Sequence, residues 1–131
     1  MNKLLLANET YKIIGACMKV HKNLGNGFLE SVYQEALEKE LANAEIPFER
    51  QKRLNIYYEG IKLDKYFIAD FVCFNKVILE IKSVNYLGQS LKQQVINYLK
   101  STKMEVGLLV NFGEKSLNWK RFINTSQRNP S

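Results

Sequence analysis

Ile68-Ala69-Asp70-Phe71-Val72-Cys73-Phe74-Asn75-Lys76-Val77-Ile78-Leu79-Glu80-Ile81-Lys82 reads as two apolar strands joined by a turn at Asn75-Lys76. Val77 to Lys82 is the clearest strand of the chain, apolar except for Glu80 and Lys82. Two residues apart, Glu80 and Lys82 share one face of that strand while Leu79 and Ile81 take the other. Charges on a central strand are costly unless they are paired, hydrated or bound to a metal. Alone, Glu-x-Lys reads as an ion pair on a half-exposed face. Asp70 on the preceding strand changes that reading. With an odd loop centred on Asn75, Asp70 lies opposite Glu80. With a strict two-residue loop at Asn75-Lys76, it lies opposite Ile81 and faces away. Asn75 suits the left-handed backbone that such loops use.

Before this stretch, Ile61 to Phe74 is β-prone, and its mixed apolar content predicts burial on both faces. Leu54, Ile56 and Tyr58 alternate with polar or aromatic neighbours ahead of a Glu59-Gly60 turn. Further upstream the period becomes helical. Ile13, Ile14, Cys17, His21 and Leu24 form a stripe on a helix over 9–24, capped by Asn8 and ended by Gly25-Asn26-Gly27. A second helix over 29–43 follows, with Pro47 breaking the chain beyond it. Downstream, Ser90 caps or sits near the start of a third helix through Lys100, before a buried strand over 105–112 and an edge strand over 117–123. Helix, helix, three strands, helix, strand and a further strand predict an α/β fold, a mixed sheet flanked by helices.

No repeat, low-complexity run or linker divides the 131 residues. One domain over 1–124 is expected, with a polar tail at 125–131 expected to be disordered. At 46% hydrophobic and 24% charged, the composition is that of a globular chain. Its apolar runs are too short to span a bilayer. The opening Met1-Asn2-Lys3-Leu4-Leu5-Leu6-Ala7 is like a signal peptide but stops at Asn8-Glu9, so export is not expected. Cys17 and Cys73 have no metal-ligand spacing and fit buried thiols in a reducing cytoplasm. A net charge of +6 favours polyanionic partners, although Lys-rich solvated faces explain it equally well.

Facing carboxylates at Asp70 and Glu80 would raise each other's pKa unless a cation neutralised them. Mg²⁺ suits such a pair, with Mn²⁺ as a substitute, because it prefers oxygen ligands and keeps waters for a substrate phosphate. The Ile81 carbonyl would complete the protein ligands. Lys82 would orient or help deprotonate the attacking water and stabilise charge on the phosphorus oxygens.

Asp70 followed by Glu80-Ile81-Lys82 resembles the D…(D/E)-x-K signature of the PD-(D/E)XK nuclease superfamily, the restriction-endonuclease-like fold with an αβββαβ core. His21-Lys22-Asn23-Leu24-Gly25-Asn26-Gly27-Phe28-Leu29-Glu30-Ser31-Val32-Tyr33 and Gln94-Val95-Ile96-Asn97-Tyr98-Leu99 narrow the likeness to the small bacterial proteins called the GxxExxR family. The resemblance runs from about Tyr11 to Phe112. It implies Glu30 as a further metal ligand, and Gln94 and Tyr98 as a QxxxY motif that positions the site and the nucleic-acid backbone. Helical spacing independently puts Gln94 and Tyr98 on one face. Ala69 replaces the proline of the signature, and Tyr33 stands where the family has Arg.

Each residue also has a plain structural reading. Glu30 suits the positive end of the second helix, Gln94 a solvated helix face, Tyr98 the core and His21 a buried, hydrogen-bonded position. The combination favours a cytoplasmic, Mg²⁺- or Mn²⁺-dependent nuclease that hydrolyses phosphodiesters, in DNA rather than RNA. Two alternatives are a non-catalytic nucleic-acid-binding module on a degenerate nuclease fold, and a regulatory homodimer.

Overall fold

Apolar periodicity sorts the chain into layers. The computed structural model describes residues 5–124, so the 125–131 tail lies outside the described residues. Helices α1 (Ala7–Leu24) and α2 (Glu30–Asn43) precede strands β1 (Phe48–Tyr58), β2 (Ile61–Cys73) and β3 (Val77–Lys82). Helix α3 (Gln89–Ser101), β4 (Val106–Asn111) and β5 (Asn118–Ile123) complete the order. The sheet runs β1-β2-β3-β4-β5, with β3 and β4 parallel and the other pairs antiparallel. This is the α/β architecture of a PD-(D/E)XK nuclease fold.

On one face α1 and α2 bury Ile13, Cys17, Tyr33 and Leu37 against Phe71, Leu79, Ile81 and Leu108. On the other face α3 lays Val95, Tyr98 and Leu99 over Ile78, Val72 and Leu109. Both faces of β3 and β4 are therefore covered, which is why they read as continuous apolar runs.

The turn after β2 settles the register. Cys73 pairs with Val77, so Phe74, Asn75 and Lys76 form a three-residue loop centred on Asn75. Phe74 and Asn75 both take left-handed backbone, at φ 56° and 57°, and the Lys76 N–H closes on the Cys73 carbonyl at 3.0 Å. Of the two loop lengths open to the sequence, the chain adopts the odd one.

Two expectations are corrected. Helix α1 begins at Ala7 behind a left-handed Leu6, so Asn8 sits in the first turn and caps nothing. Ser90 does sit near the start of α3, one residue inside a helix whose N-cap is the extended Gly88, and Leu29 is the extended N-cap of α2. The larger correction concerns β2. Its inner part is buried, but from Ile61 to Ile68 every residue except the half-buried Phe67 is exposed. Strand β3 pairs with β2 only from Phe71 inward, so the outer ribbon of β1 and β2 has no third strand beside it.

Alternation also changes phase where that ribbon leaves the sheet. Phe71 and Cys73 pack on the α1–α2 side, whereas Phe67 and Ala69, of the same parity, pack on the α3 side. Strand β1 does the same between Phe48 and Leu54. Between the pairs Arg50–Phe71 and Lys52–Ala69 stand Gln51, in left-handed backbone at φ 49°, and Asp70. The kink and the first acidic residue of the site share one position.

Candidate active site

The β2–β3 ladder ends at Phe71–Leu79, and the strands then part. Two carboxylates take over the backbone bonding there. The Asp70 N–H donates to Glu80 Oε2 at 2.7 Å, and the Ile81 N–H donates to Asp70 Oδ2 at 2.9 Å. These two bonds fix both side chains in the gap between the strands. Among the described residues, Asp70 Oδ1 and Glu80 Oε1 accept no bond from the protein.

Glu80 is only 4% exposed. Burial first, and the Asp70 carboxylate second, push its pKa up to about 8, against the pull of the Asp70 N–H and Lys82. Asp70 is also raised, chiefly by burial, with the Ile81 N–H and Lys82 opposing. Glu30 is raised by burial, with Lys82 lowering and Asp70 raising it. The three carboxylates and Lys82 thus share one electrostatic neighbourhood.

The segment before α2 carries Glu30 there. The Tyr33 hydroxyl donates to the Gly25 carbonyl and accepts from the Phe28 N–H, while its ring stacks on Phe112 at 4.7 Å. Ser83, just past Lys82, donates to the Phe28 carbonyl at 2.7 Å. Tyr33 is completely buried, and with these bonds it forms a clasp that holds the loop presenting Glu30.

A polar network that sequence reading missed supports the other side. Buried Asn111 accepts from the Val84 and Gly113 N–H groups and donates to the Val84 carbonyl and to Glu114 Oε2. A β-carbon on Gly113 would collide with the Val84 backbone, so glycine allows the segment after β3 to lie against the end of β4. Its signal was Asn111 itself, the lone polar residue of Val106-Gly107-Leu108-Leu109-Val110-Asn111. His21, 8% exposed, bonds the Glu114 carbonyl through Nε2 at 2.9 Å and belongs to this scaffold.

Gln94 and Tyr98 open with Phe67, Ser90, Gln93 and Asn97 on a cleft of ≈ 540 Å³ between α3 and β2. Tyr98 is raised by burial and then by the Glu80 and Asp70 charges, which places it in their field. Gln94 is exposed. Ile81 contributes its N–H to Asp70 while its side chain is in the core. Among the described residues, no three carboxylate, histidine or cysteine side chains gather closely enough to form a complete metal cage.

A family model described as the PD-(D/E)XK nuclease superfamily matches residues 7–122. The chain belongs to the PD-(D/E)XK nuclease superfamily. It spans the helix that carries Glu30, the Asp70 and Glu80-Ile81-Lys82 strands, and α3 with Gln94 and Tyr98. Among curated proteins and solved structures, no significant match to the chain is found. Among the described residues, no helix is long and apolar enough to cross a membrane.

Nucleases of this superfamily usually use divalent metals, and the donor set at Asp70 and Glu80 fits a hard one. It consists of two carboxylates with free oxygens, whose burial and mutual repulsion a cation would relieve.

Proposed function

We propose that the chain is a Mg²⁺- or Mn²⁺-dependent nuclease acting on DNA in preference to RNA. The observation that carries this reading is the reciprocal bonding of Asp70 and Glu80 in the gap between β2 and β3, with Lys82 beside them. Asp70 Oδ1 and Glu80 Oε1 would hold the ion, Glu30 would approach from α2, and the Ile81 carbonyl would add a neutral donor. When bound, the metal supplies Lewis-acid stabilisation of the phosphodiester and lowers the pKa of the attacking water.

The protein's own groups supply position and charge. Glu80 must be deprotonated to serve, which its raised pKa opposes until a cation arrives. Lys82 directs an ammonium at the attacking water and at the charge building on the phosphorus oxygens. The attacking water would release a proton to solvent as its oxygen joins phosphorus, the bond to the leaving sugar oxygen would break, and a proton from solvent would pass to that oxygen. Tyr98 and Gln94 line the cleft through which the strand would enter. Within the superfamily, the Gly27…Glu30…Tyr33 spacing supports a place beside the GxxExxR proteins of bacteria, which would make the cytoplasm its compartment.

The test is cleavage of end-labelled single- and double-stranded DNA, with RNA alongside. Cleavage that needs Mg²⁺ or Mn²⁺ and falls at least about 10³-fold in Glu80→Ala and Lys82→Ala, both still folded, is the expected result. No cleavage, together with no calorimetric binding of Mn²⁺ by wild type, would leave a binding module. The lack of a complete three-ligand cage among the described residues favours that second reading.

A further inference from the structure

The ribbon formed by the outer halves of β1 and β2 leaves the sheet at Asp70, beside the candidate site. Ten residues, Ile61 to Asp70, extend beyond the last β2–β3 pair, a reach of about 30 Å at ordinary strand rise. A two-stranded ribbon is marginal in water by itself. On this one, Leu54 and Phe67 turn toward Tyr98 of α3, with the Phe67 and Tyr98 rings 3.9 Å apart. The opposite face is uncovered.

That face has an ordered chemistry. Arg53 pairs across the ribbon with Ile68, and Asn55 with Tyr66. The Arg53 guanidinium lies 3.9 Å from the Tyr66 ring centroid, so both project from the same side. Tyr66 is 46% exposed and Ile68 48%. Beyond the break in register between Asn55 and Tyr57, the tip of the ribbon carries exposed Lys62 and Lys65, and among the described residues neither they nor Arg53 stand in an ion pair. Glu59 and Asp64 are the acids of this outer part, which stays cationic.

We infer that this face, centred on Arg53 and Tyr66, is a platform for a single-stranded segment of nucleic acid continuing outward from the acidic site. The inference rests on the nuclease reading for the identity of the polyanion. Bases stack on exposed aromatic rings whatever their sequence, and nearby cations take the phosphates. Arg53 already covers Tyr66 as a cation over a π face, and its guanidinium can itself serve as a stacking plane. A duplex keeps its base faces stacked inside, out of reach of the Tyr66 ring.

A second copy of the chain is the competing occupant, suited to Ile61 and Ile68. A two-fold contact would set this face on itself and oppose the Arg53 guanidinium with its own copy. Charge complementarity favours the polyanion.

The experiment is fluorescence anisotropy of labelled oligothymidylate and of a duplex of equal length, in EDTA, across a salt series. Wild type is expected to bind the single strand more tightly than the duplex. Tyr66→Ala should weaken that binding about tenfold while Tyr66→Phe retains it, because stacking needs the ring and not the hydroxyl. Arg53→Ala should lower the salt slope by about one. Circular dichroism checks the fold of each variant. The platform is overturned if wild type binds no single strand or if both alanine variants bind like wild type. It is equally overturned if wild type sediments as a dimer that Tyr66→Ala splits. Metal-dependent cleavage, scored separately, tells the two readings apart. Absent cleavage with ring-dependent binding sinks the nuclease alone, and cleavage with unchanged binding in Tyr66→Ala sinks the platform alone.

Discussion

The two halves of β2 are one strand in two environments. From Ala69 to Cys73 it lies between covered faces, with Ala69, Phe71 and Cys73 fully out of solvent. From Ile61 to Ile68 it carries Ile, Leu, Tyr, Phe and Ile again, yet only Phe67 is partly buried. Apolar content is similar, and neighbours differ. Burial in a sheet is conferred by the adjacent strand and the helix above, and β3 is too short to reach the outer half. The inner half holds the fold and the site, whereas the outer half is a surface.

The largest contrast should appear in stability. Leu108→Ala on the covered sheet is expected to cost about 2–5 kcal/mol in urea denaturation, because it opens a cavity in the buried cluster beside Leu79 of β3. Ile61→Ala on the outer half, where the side chain is 68% exposed, should stay within about 0.5 kcal/mol. A cost above about 2 kcal/mol at Ile61 would break the comparison and show that the ribbon is covered in solution.

The acidic position between the halves should respond to pH. Glu80's folded pKa is raised, from 4.5 to about 8, so the folded chain holds a proton that the unfolded chain has released. Stability from this group is complete below about 4.5 and is lost as pH rises toward 8. Asp70 and Glu30 are shifted in the same direction. Thermal melts without metal should therefore fall between pH 5 and 8, by on the order of a few kcal/mol. Glu80→Gln should flatten that slope, and Mg²⁺ or Mn²⁺ should restore wild type at pH 8 far more than at pH 5. A flat wild-type profile would mean that Glu80 is not held in a desolvated acidic pair.

Tyr33→Phe probes how the site is hung from the core. The ring stack on Phe112 survives, but the Gly25 carbonyl and the Phe28 N–H lose the hydroxyl between them. A loss of about 1 kcal/mol is expected, with weaker Mn²⁺ binding by calorimetry as Glu30 loosens. Unchanged binding would place Glu30 outside the ligand set.

Much of this is legible in the sequence. Period-two and helical patterns mark every element because core burial and backbone period are local consequences of sequence. The pairing of Asp70 with Glu80 hung on one loop residue, and periodicity alone could not choose between an odd and an even turn. Phe74 taking left-handed backbone is the part no propensity announces, since tertiary packing imposes it on a residue that resists it. The exposure of 61–68 was misread because β-prone, mixed apolar sequence looks the same whether its neighbours exist or not. Asn111 was overlooked because one polar residue in an apolar strand carries no signal of its own, and its partner Val84 lies in a distant segment.

The smallest effect bears on the boundary itself. Gln51 holds left-handed backbone in mid-strand, opposite Asp70, where the alternation of both strands changes phase. A residue with a β-carbon resists that conformation by about 1 kcal/mol, and glycine does not. Glycine also gives the unfolded chain more freedom, which offsets part of the gain. Gln51→Gly should thus raise stability by a few tenths of a kcal/mol in urea denaturation. If the left-handed kink is what lets Asp70 turn its carboxylate into the gap, Mn²⁺ affinity should be unchanged, because glycine keeps the conformation. Loss of stability above about 1 kcal/mol would show that the Gln51 side chain, and not its backbone, makes the junction between the two halves.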